Sequence, residues 1–154
     1  NYSTPVGEMN VVKKMKEVSS IVGGEGGGGI IYPELHYGRD ALVGIALFLG
    51  LLVDKECKVS ELKSQYSSYY MKKIKITLKD SKLIDRTFNV ITENYSELSP
   101  NTEDGVRIDF DDAWVHMRKS NTEPIIRIFA EANSQDIADT YALKIEKEIK
   151  SISS

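Results

Sequence analysis

The chain has 154 residues, 41% of them hydrophobic and 28% charged, with a net charge of −3 and a pI near 5.5. That is enough chain for one average-sized core, and it lacks the basic excess of a dedicated nucleic-acid binder, although it leaves room for one local basic pocket. The single cysteine, Cys57, excludes an internal disulfide and a cysteine zinc cluster, and it fits a reducing, cytoplasmic setting.

The chain opens on Asn1-Tyr2-Ser3-Thr4-Pro5-Val6-Gly7, which reads as the end of a strand and a loop and suggests a piece from inside a longer protein. Glu8 to Val18 carries Val11, Val12, Met15 and Val18 at helical spacing. Ser19 to Val22 is expected as a short strand. The glycine run that follows contains a literal G-x-G-x-x-G from Gly24 to Gly29. A dinucleotide loop needs a helix opening at its last glycines, whereas Ile30-Ile31-Tyr32-Pro33 is extended and then broken by proline. No Gly-Lys-Ser/Thr follows, so both nucleotide readings are rejected. The run still lets backbone approach a ligand closely, and Glu25 is its one side chain with a strong acceptor. A carboxylate there suits bidentate hydrogen bonding to neighbouring sugar hydroxyls; the alternative is a flexible loop with a solvated glutamate.

Pro33 to Asp40 is expected as a loop, with His36 and Arg39 just ahead of a helix N-terminus, a place that favours anions. A lone loop histidine such as His36 is more often structural or merely exposed. Asp40 reads as a helix cap. Ala41 to Val53 is the most apolar run, too short for the roughly 20 residues of a membrane span, and is expected as a buried helix. A polar connector, Asp54 to Val59, suggests a domain boundary, giving domains at 1–55 and 59–154.

Beyond a short helix at Glu61 to Tyr66, Tyr70 to Leu78 alternates as a half-buried strand, with Ile74, Ile76 and Leu78 inward. Ser81 to Leu98 carries the helical stripe Ile84, Phe88, Ile91, Tyr95 and Leu98. Strands are expected at Gly105 to Phe110, Ala113 to Arg118 and Ile125 to Ala130, and a last helix after the Ser134 cap, with Ile137, Tyr141, Ile145 and Ile149 inward. The order β-α-β-β-β-α implies an α+β unit, a four-stranded antiparallel sheet with helices on one face. Its other face would carry Trp114, His116, Arg127 and Phe129, a surface for another domain or chain. The acidic stretch Glu103 to Asp112 reads as turn chemistry rather than a metal site.

Arg118-Lys119-Ser120-Asn121-Thr122-Glu123-Pro124, followed by Arg127, carries the most chemistry. Guanidinium forks, two hydroxyls, an amide and free loop N–H groups suit a tetrahedral, doubly charged anion. An ordinary hairpin turn with scattered surface charge is the alternative.

With these residues in view the chain resembles the α-D-phosphohexomutases, over nearly its whole length. Members carry a sugar loop of the form G-E-x-S/N-G and, later, a phosphate loop R-x-S-N/G-T-x-P; here these are Gly24-Glu25-Gly26-Gly27-Gly28 and Arg118 to Pro124. The resemblance implies the C-terminal half of an α/β, Rossmann-like domain 3, followed by a TATA-box-binding-protein-like domain 4. It implies that Glu25, with Gly26, Gly27 and Gly28, contacts the sugar, and that Arg118, Ser120, Asn121 and Thr122, with Arg127, hold the non-reacting phosphate. His36 and Arg39 are further candidates.

The reaction implied is isomerisation of hexose 6-phosphate and hexose 1-phosphate through a bisphosphate. The catalytic phosphoserine and the Mg²⁺ site belong to other domains of such an enzyme, so no catalytic or metal-binding residue is expected in this chain and the fragment alone would be inactive. The partners implied are a hexose phosphate and the remaining domains, with no nucleic acid or membrane. Gly27 stands where many members have Ser or Asn, Gly29 where a histidine is common, and Pro5 where some have a lysine. His36 is one residue that could serve in place of the histidine. The segment from Gly28 to Asp40 resembles the branch that includes phosphoglucosamine mutases and phosphomannomutases, with glucosamine phosphate favoured over glucose or mannose phosphate.

Overall fold

The structure is a computed structural model that describes residues 1–78, 80–120 and 123–153, with Ser81 described in its backbone only. The chain divides into two compact units, Asn1–Tyr66 and Ser67–Ser154.

The first unit contains helix α1 (Glu8–Val18), strands β1 (Gly23–Gly24), β2 (Ile30–Tyr32) and β3 (His36–Arg39), and helices α2 (Ala41–Asp54) and α3 (Val59–Ser64). The strands form an antiparallel sheet in the order β1-β2-β3. Its small core is Val12 and Met15 of α1 against Ile31 of β2, with Val11 alongside. Two expectations change here. Ser19 to Val22 is a turn, because Ser19 adopts the left-handed conformation that closes α1 (φ 51°), and pairing starts only at Gly23. The expected loop from Pro33 to Asp40 contains a strand, β3, because Tyr32 pairs with His36 and Ile31 with Arg39 across a bulge.

Helix α2 starts where expected, with Asp40 Oδ1 accepting from the Val43 N–H at 3.0 Å. It is not buried. None of its residues is buried, and Leu42 and Val53 are 77% and 74% exposed. A helix apolar on every side needs cover all round, and the three short strands of this unit meet only one side of it, where Gly44 lies against Ile30. The polar connector follows directly on the end of α2. Lys58 N–H donates to Glu61 Oε2 at 2.7 Å to start α3, and α3 falls with the first unit.

The second unit runs β4 (Tyr70–Thr77), α4 (Ser81–Asn94), a 3₁₀ turn at Ser96–Leu98, β5 (Val106–Asp109), β6 (Ala113–Lys119), β7 (Ile125–Ala132) and α5 (Gln135–Ile152). Its strands pair antiparallel throughout in the order β4-β7-β6-β5, the α+β arrangement expected. Strand alternation puts Ile76, Val106, Ile108, Val115, Met117, Ile126, Ile128 and Ala130 on one face, where Ile84, Phe88 and Ile91 of α4 and Ala142, Ile145 and Ile149 of α5 cover them. Both helices therefore lie on the same side. Phe110 closes this core at one edge, stacked on Tyr141 with centroids 4.3 Å apart and edge-on to Tyr95 at 5.9 Å. Ser134 Oγ caps α5 at the Ile137 N–H.

Candidate functional site

On the uncovered face of the four-stranded sheet, register determines which side chains are neighbours. Lys75 pairs with Arg127 and Arg127 with Arg118, so three cations lie in one row across β4, β7 and β6. The next row is Lys73, Phe129, His116 and Arg107, and the one after it Met71, Glu131, Trp114 and Asp109. Like charges directly opposed across a ladder are destabilising. A row of three is a feature that folding alone does not favour.

Trp114, His116, Arg127 and Phe129 share this face, as expected. The aromatics are only half-buried, yet neighbours on the same sheet occupy them. The Arg107 guanidinium sits 4.5 Å from the Trp114 ring, Trp114 Nε1 donates to Glu131 at 3.1 Å, and Lys73 Nζ lies 5.9 Å from the Phe129 ring.

The cation row ends at the β6–β7 turn. Lys119 pairs with Ile126, and the Ser120 N–H donates to Ile125 O at 2.9 Å, closing the hairpin. The Ile125 N–H bends back to Glu123 O at 2.7 Å, and Pro124 O accepts from the Leu78 N–H at 2.8 Å. The turn is thus stitched to both β4 and β6. Lys119 points to the helix side of the sheet, where Nζ donates to Asp85 Oδ1 at 3.0 Å. Arg118, Ser120 and Arg127 are consequently at one end of one hairpin. Asn121 and Thr122, the other two expected phosphate ligands, lie outside the described residues.

Sequence pattern placed Asp104 only within an acidic stretch read as turn chemistry, and the fold brings it to this end of the sheet. Arg118 Nε donates to its carboxylate, with both oxygens at 3.1 Å. A fourteen-residue separation hides this pair from any local reading; the only sequence sign is an aspartate followed by glycine at the mouth of a strand.

In the first unit, the glycine run is the tip of the β1–β2 hairpin. The Glu25 N–H donates to Gly29 O at 3.1 Å and the Gly28 N–H to Glu25 O at 2.9 Å, with Gly28 at φ 89°. Side chains added at Gly26 or Gly27 would meet nothing within 4 Å, so the tip is open. Glu25 is not a solvated side chain on it. Arg39 Nη1 lies 3.2 Å from Glu25 Oε2, while Arg39 Nε donates to Glu8 Oε2 at 2.8 Å. Glu8, in the first turn of α1, is a second residue that sequence pattern passed over. The space that a side chain at Gly29 would fill is occupied by the Arg39 stem.

His36 is engaged otherwise. Its Nδ1 accepts from the Gly38 N–H at 3.0 Å, so Nε2 carries the proton and donates to Asp40 Oδ2 at 3.1 Å. Asp40 is held below the usual carboxylate range, first by the Val43 N–H and then by His36.

Among the described residues no group of three or more His, Cys, Asp and Glu is arranged to hold a metal ion. No helix there is long and apolar enough to cross a membrane.

Known proteins supply the frame for this geometry. Residues 1–69 match the family model for the phosphoglucomutase/phosphomannomutase α/β/α domain III, and residues 71–148 that for the C-terminal domain of the same family. The phosphoglucosamine/phosphogalactosamine mutase of Sulfurisphaera tokodaii is 36% identical over 146 residues, 94% of this chain and 32% of that protein. A phosphoglucomutase/phosphomannomutase of Thermococcus kodakarensis is 37% identical over 144 residues, 90% of this chain and 30% of that protein. The chain therefore spans about a third of the length of these relatives. In fold it is similar to a phosphoglucomutase/phosphomannomutase family protein of Burkholderia thailandensis, with a TM-score of 0.74 over 96% of this chain and 31% of that one, at 23% identity. On the two domain matches and these identities, the chain belongs to the α-D-phosphohexomutase (phosphoglucomutase/phosphomannomutase) family.

Proposed function

We propose that the chain is the substrate-gripping C-terminal part of a phosphohexomutase that interconverts hexose 6-phosphate and hexose 1-phosphate through a bisphosphate. The observation that carries this is the cation row ending at the β6–β7 turn, in a chain whose two units match domain III and the C-terminal domain of that family. Arg118, Ser120 and Arg127 hold the non-reacting phosphate, joined by Asn121 and Thr122. Glu25, on the open tip formed with Gly26, Gly27 and Gly28, accepts from sugar hydroxyls. A phosphate gripped away from the reacting end supplies binding energy that orients the sugar. Arg39 fixes the Glu25 carboxylate, and His36 serves the Asp40 cap.

The preferred substrate is glucosamine phosphate, favoured by the naming of the Sulfurisphaera tokodaii relative; the Thermococcus kodakarensis relative favours glucose or mannose phosphate as the alternative. In the longer enzyme, a phosphoserine and Mg²⁺ on other domains supply the transferable phosphoryl group and its charge neutralisation. The residues of this chain bind and orient. The setting proposed is the cytoplasm.

The test is a titration of glucosamine 6-phosphate into the isotope-labelled chain, followed by NMR. Amides flanking the β6–β7 turn are expected to shift, and Arg118→Ala to abolish the shift. A spectrum that stays unchanged at high-millimolar ligand would sink the reading.

A further inference from the structure

We infer that Asp104 is a positioning residue for Arg118, holding the guanidinium by Nε so that its Nη groups are presented to a phosphoryl group. The inference rests on the reading of Arg118 as a phosphate ligand and adds a residue outside the phosphate loop.

An arginine on a strand has several rotatable bonds, and a floppy guanidinium binds an anion only after losing that freedom. A carboxylate on Nε removes most of it in advance. Among the described residues the Arg118 side chain makes its hydrogen bond through Nε, to Asp104, and none through its Nη groups. The fork that pairs bidentately with phosphate oxygens stays available.

Asp104 is itself held from three directions. His116 Nε2 donates to the Asp104 carbonyl oxygen at 2.6 Å. Gly105 follows at φ 75°, and a Cβ there would strike the Met117 carbonyl, so backbone lies directly on β6. Behind it Asn101 and Arg107 exchange backbone hydrogen bonds of 2.9 and 2.8 Å, closing the loop. The carboxylate therefore sits on a short, anchored segment. The Arg118 and Asp104 side chains are 33% and 26% exposed, where an ion pair adds little stability of its own. Orientation is the larger consequence.

A competing account makes Asp104 a charge balancer for the opposed Arg118 and Arg127. The two accounts differ in sign. Removing a mere balancer leaves more positive charge and tightens anion binding; removing a positioner loosens it.

The experiment titrates inorganic phosphate and glucosamine 6-phosphate into the labelled 154-residue chain and follows the Arg118 Nε–Hε cross-peak. Asp104→Ala is expected to weaken both ligands about tenfold, the loss of one well-placed charged hydrogen bond, and to broaden that cross-peak by solvent exchange. Asp104→Asn keeps an acceptor oxygen and is expected to restore most of the affinity and the cross-peak. His116→Ala, which releases the Asp104 carbonyl without touching either charge, is expected to act in the same direction more weakly. Equal or tighter binding in Asp104→Ala, or a fall in melting temperature with unchanged affinity and cross-peak, overturns the inference. Failure of the underlying phosphate reading shows differently: Arg118→Ala then binds both ligands as well as the parent chain, which overturns both.

Discussion

Arg118 of β6 and Arg127 of β7 stand directly opposite one another across an antiparallel ladder. Arg118 has a carboxylate on its Nε, whereas Arg127, among the described residues, has no carboxylate partner. Lys75 extends the row on the other side of Arg127, with Glu123 4.0 Å from its Nζ. On the proposed roles, a phosphate dianion would relieve repulsion along the row, so the arrangement would favour the bound state over the empty one.

Replacing Arg127 therefore separates stability from binding. Arg127→Ala is expected to leave the melting temperature unchanged or slightly raised, since it removes an opposed like charge. Hexose phosphate affinity is expected to fall by about 10- to 100-fold, the range for a hydrogen bond to a charged group. Calorimetric titration alongside thermal melting checks both, and a lower melting temperature with full affinity would contradict the account.

Arg39→Ala is expected to free Glu25 from its guanidinium partner with little change in stability, because exposed ion pairs contribute only about 0–1 kcal/mol. On the proposed roles, hexose phosphate binding weakens while inorganic phosphate binding does not. Gly29→Ala pushes on the Arg39 stem and is expected to reproduce the same split more mildly. Equal losses for both ligands would show that Arg39 does not act through the sugar.

The α2 cap has a pH signature. Asp40 has a lowered pKa through the Val43 N–H and His36, so its ionised form is favoured by folding. Its contribution is present above the ordinary carboxylate pKa of about 4 and is lost as pH falls through the lower folded value. Helicity measured by circular dichroism should decline on acidification in the parent chain. Asp40→Asn still caps and should reduce that decline; an identical profile in both would argue that other carboxylates govern it.

Alkaline behaviour runs the opposite way. Burial, and the hydrogen bond from its hydroxyl to Glu148 Oε1 at 2.7 Å, raise the Tyr95 pKa well above the ordinary tyrosine range. The folded state thus holds this proton more tightly than the unfolded chain. Its stabilising effect is complete below about pH 10 and is lost as pH rises towards the folded value. Tyr95→Phe is expected to flatten the loss of stability above pH 10. Absorbance titration should show one fewer late-ionising tyrosine.

Gly105→Ala is expected to destabilise the second unit by about 1–3 kcal/mol, since its positive φ and the Met117 carbonyl both disfavour a side chain. Denaturant unfolding measures this. A neutral result would mean that the Asp104 segment is less closely seated than its anchors imply.

Most secondary structure was legible in local pattern. Glu8–Val18 declares its apolar stripe within the helix itself, and the alternation in Ile74, Ile76 and Leu78, or in Val115 and Met117, needs no distant partner to be read. The hairpin turn between Arg118 and Arg127 was likewise legible from its polar run ending at Pro124. Other features required contacts between segments far apart in sequence. Whether Pro33 to Asp40 is loop or strand depends on Ile31 and Tyr32 pairing with it. Whether α2 is buried depends on what covers it, and hydropathy within the helix is blind to that. The opposition of Arg118 to Arg127, the hold of Asp104 on Arg118 and the linkage of Glu8, Arg39 and Glu25 are matters of register and loop closure. Side-chain periodicity is a property of neighbouring residues, so the sequence by itself determined the longer helices and strands and, in the second unit, their inward faces. Which charged groups meet is decided when the sheets close, because a shift of one residue in register would turn each of those side chains to the opposite face.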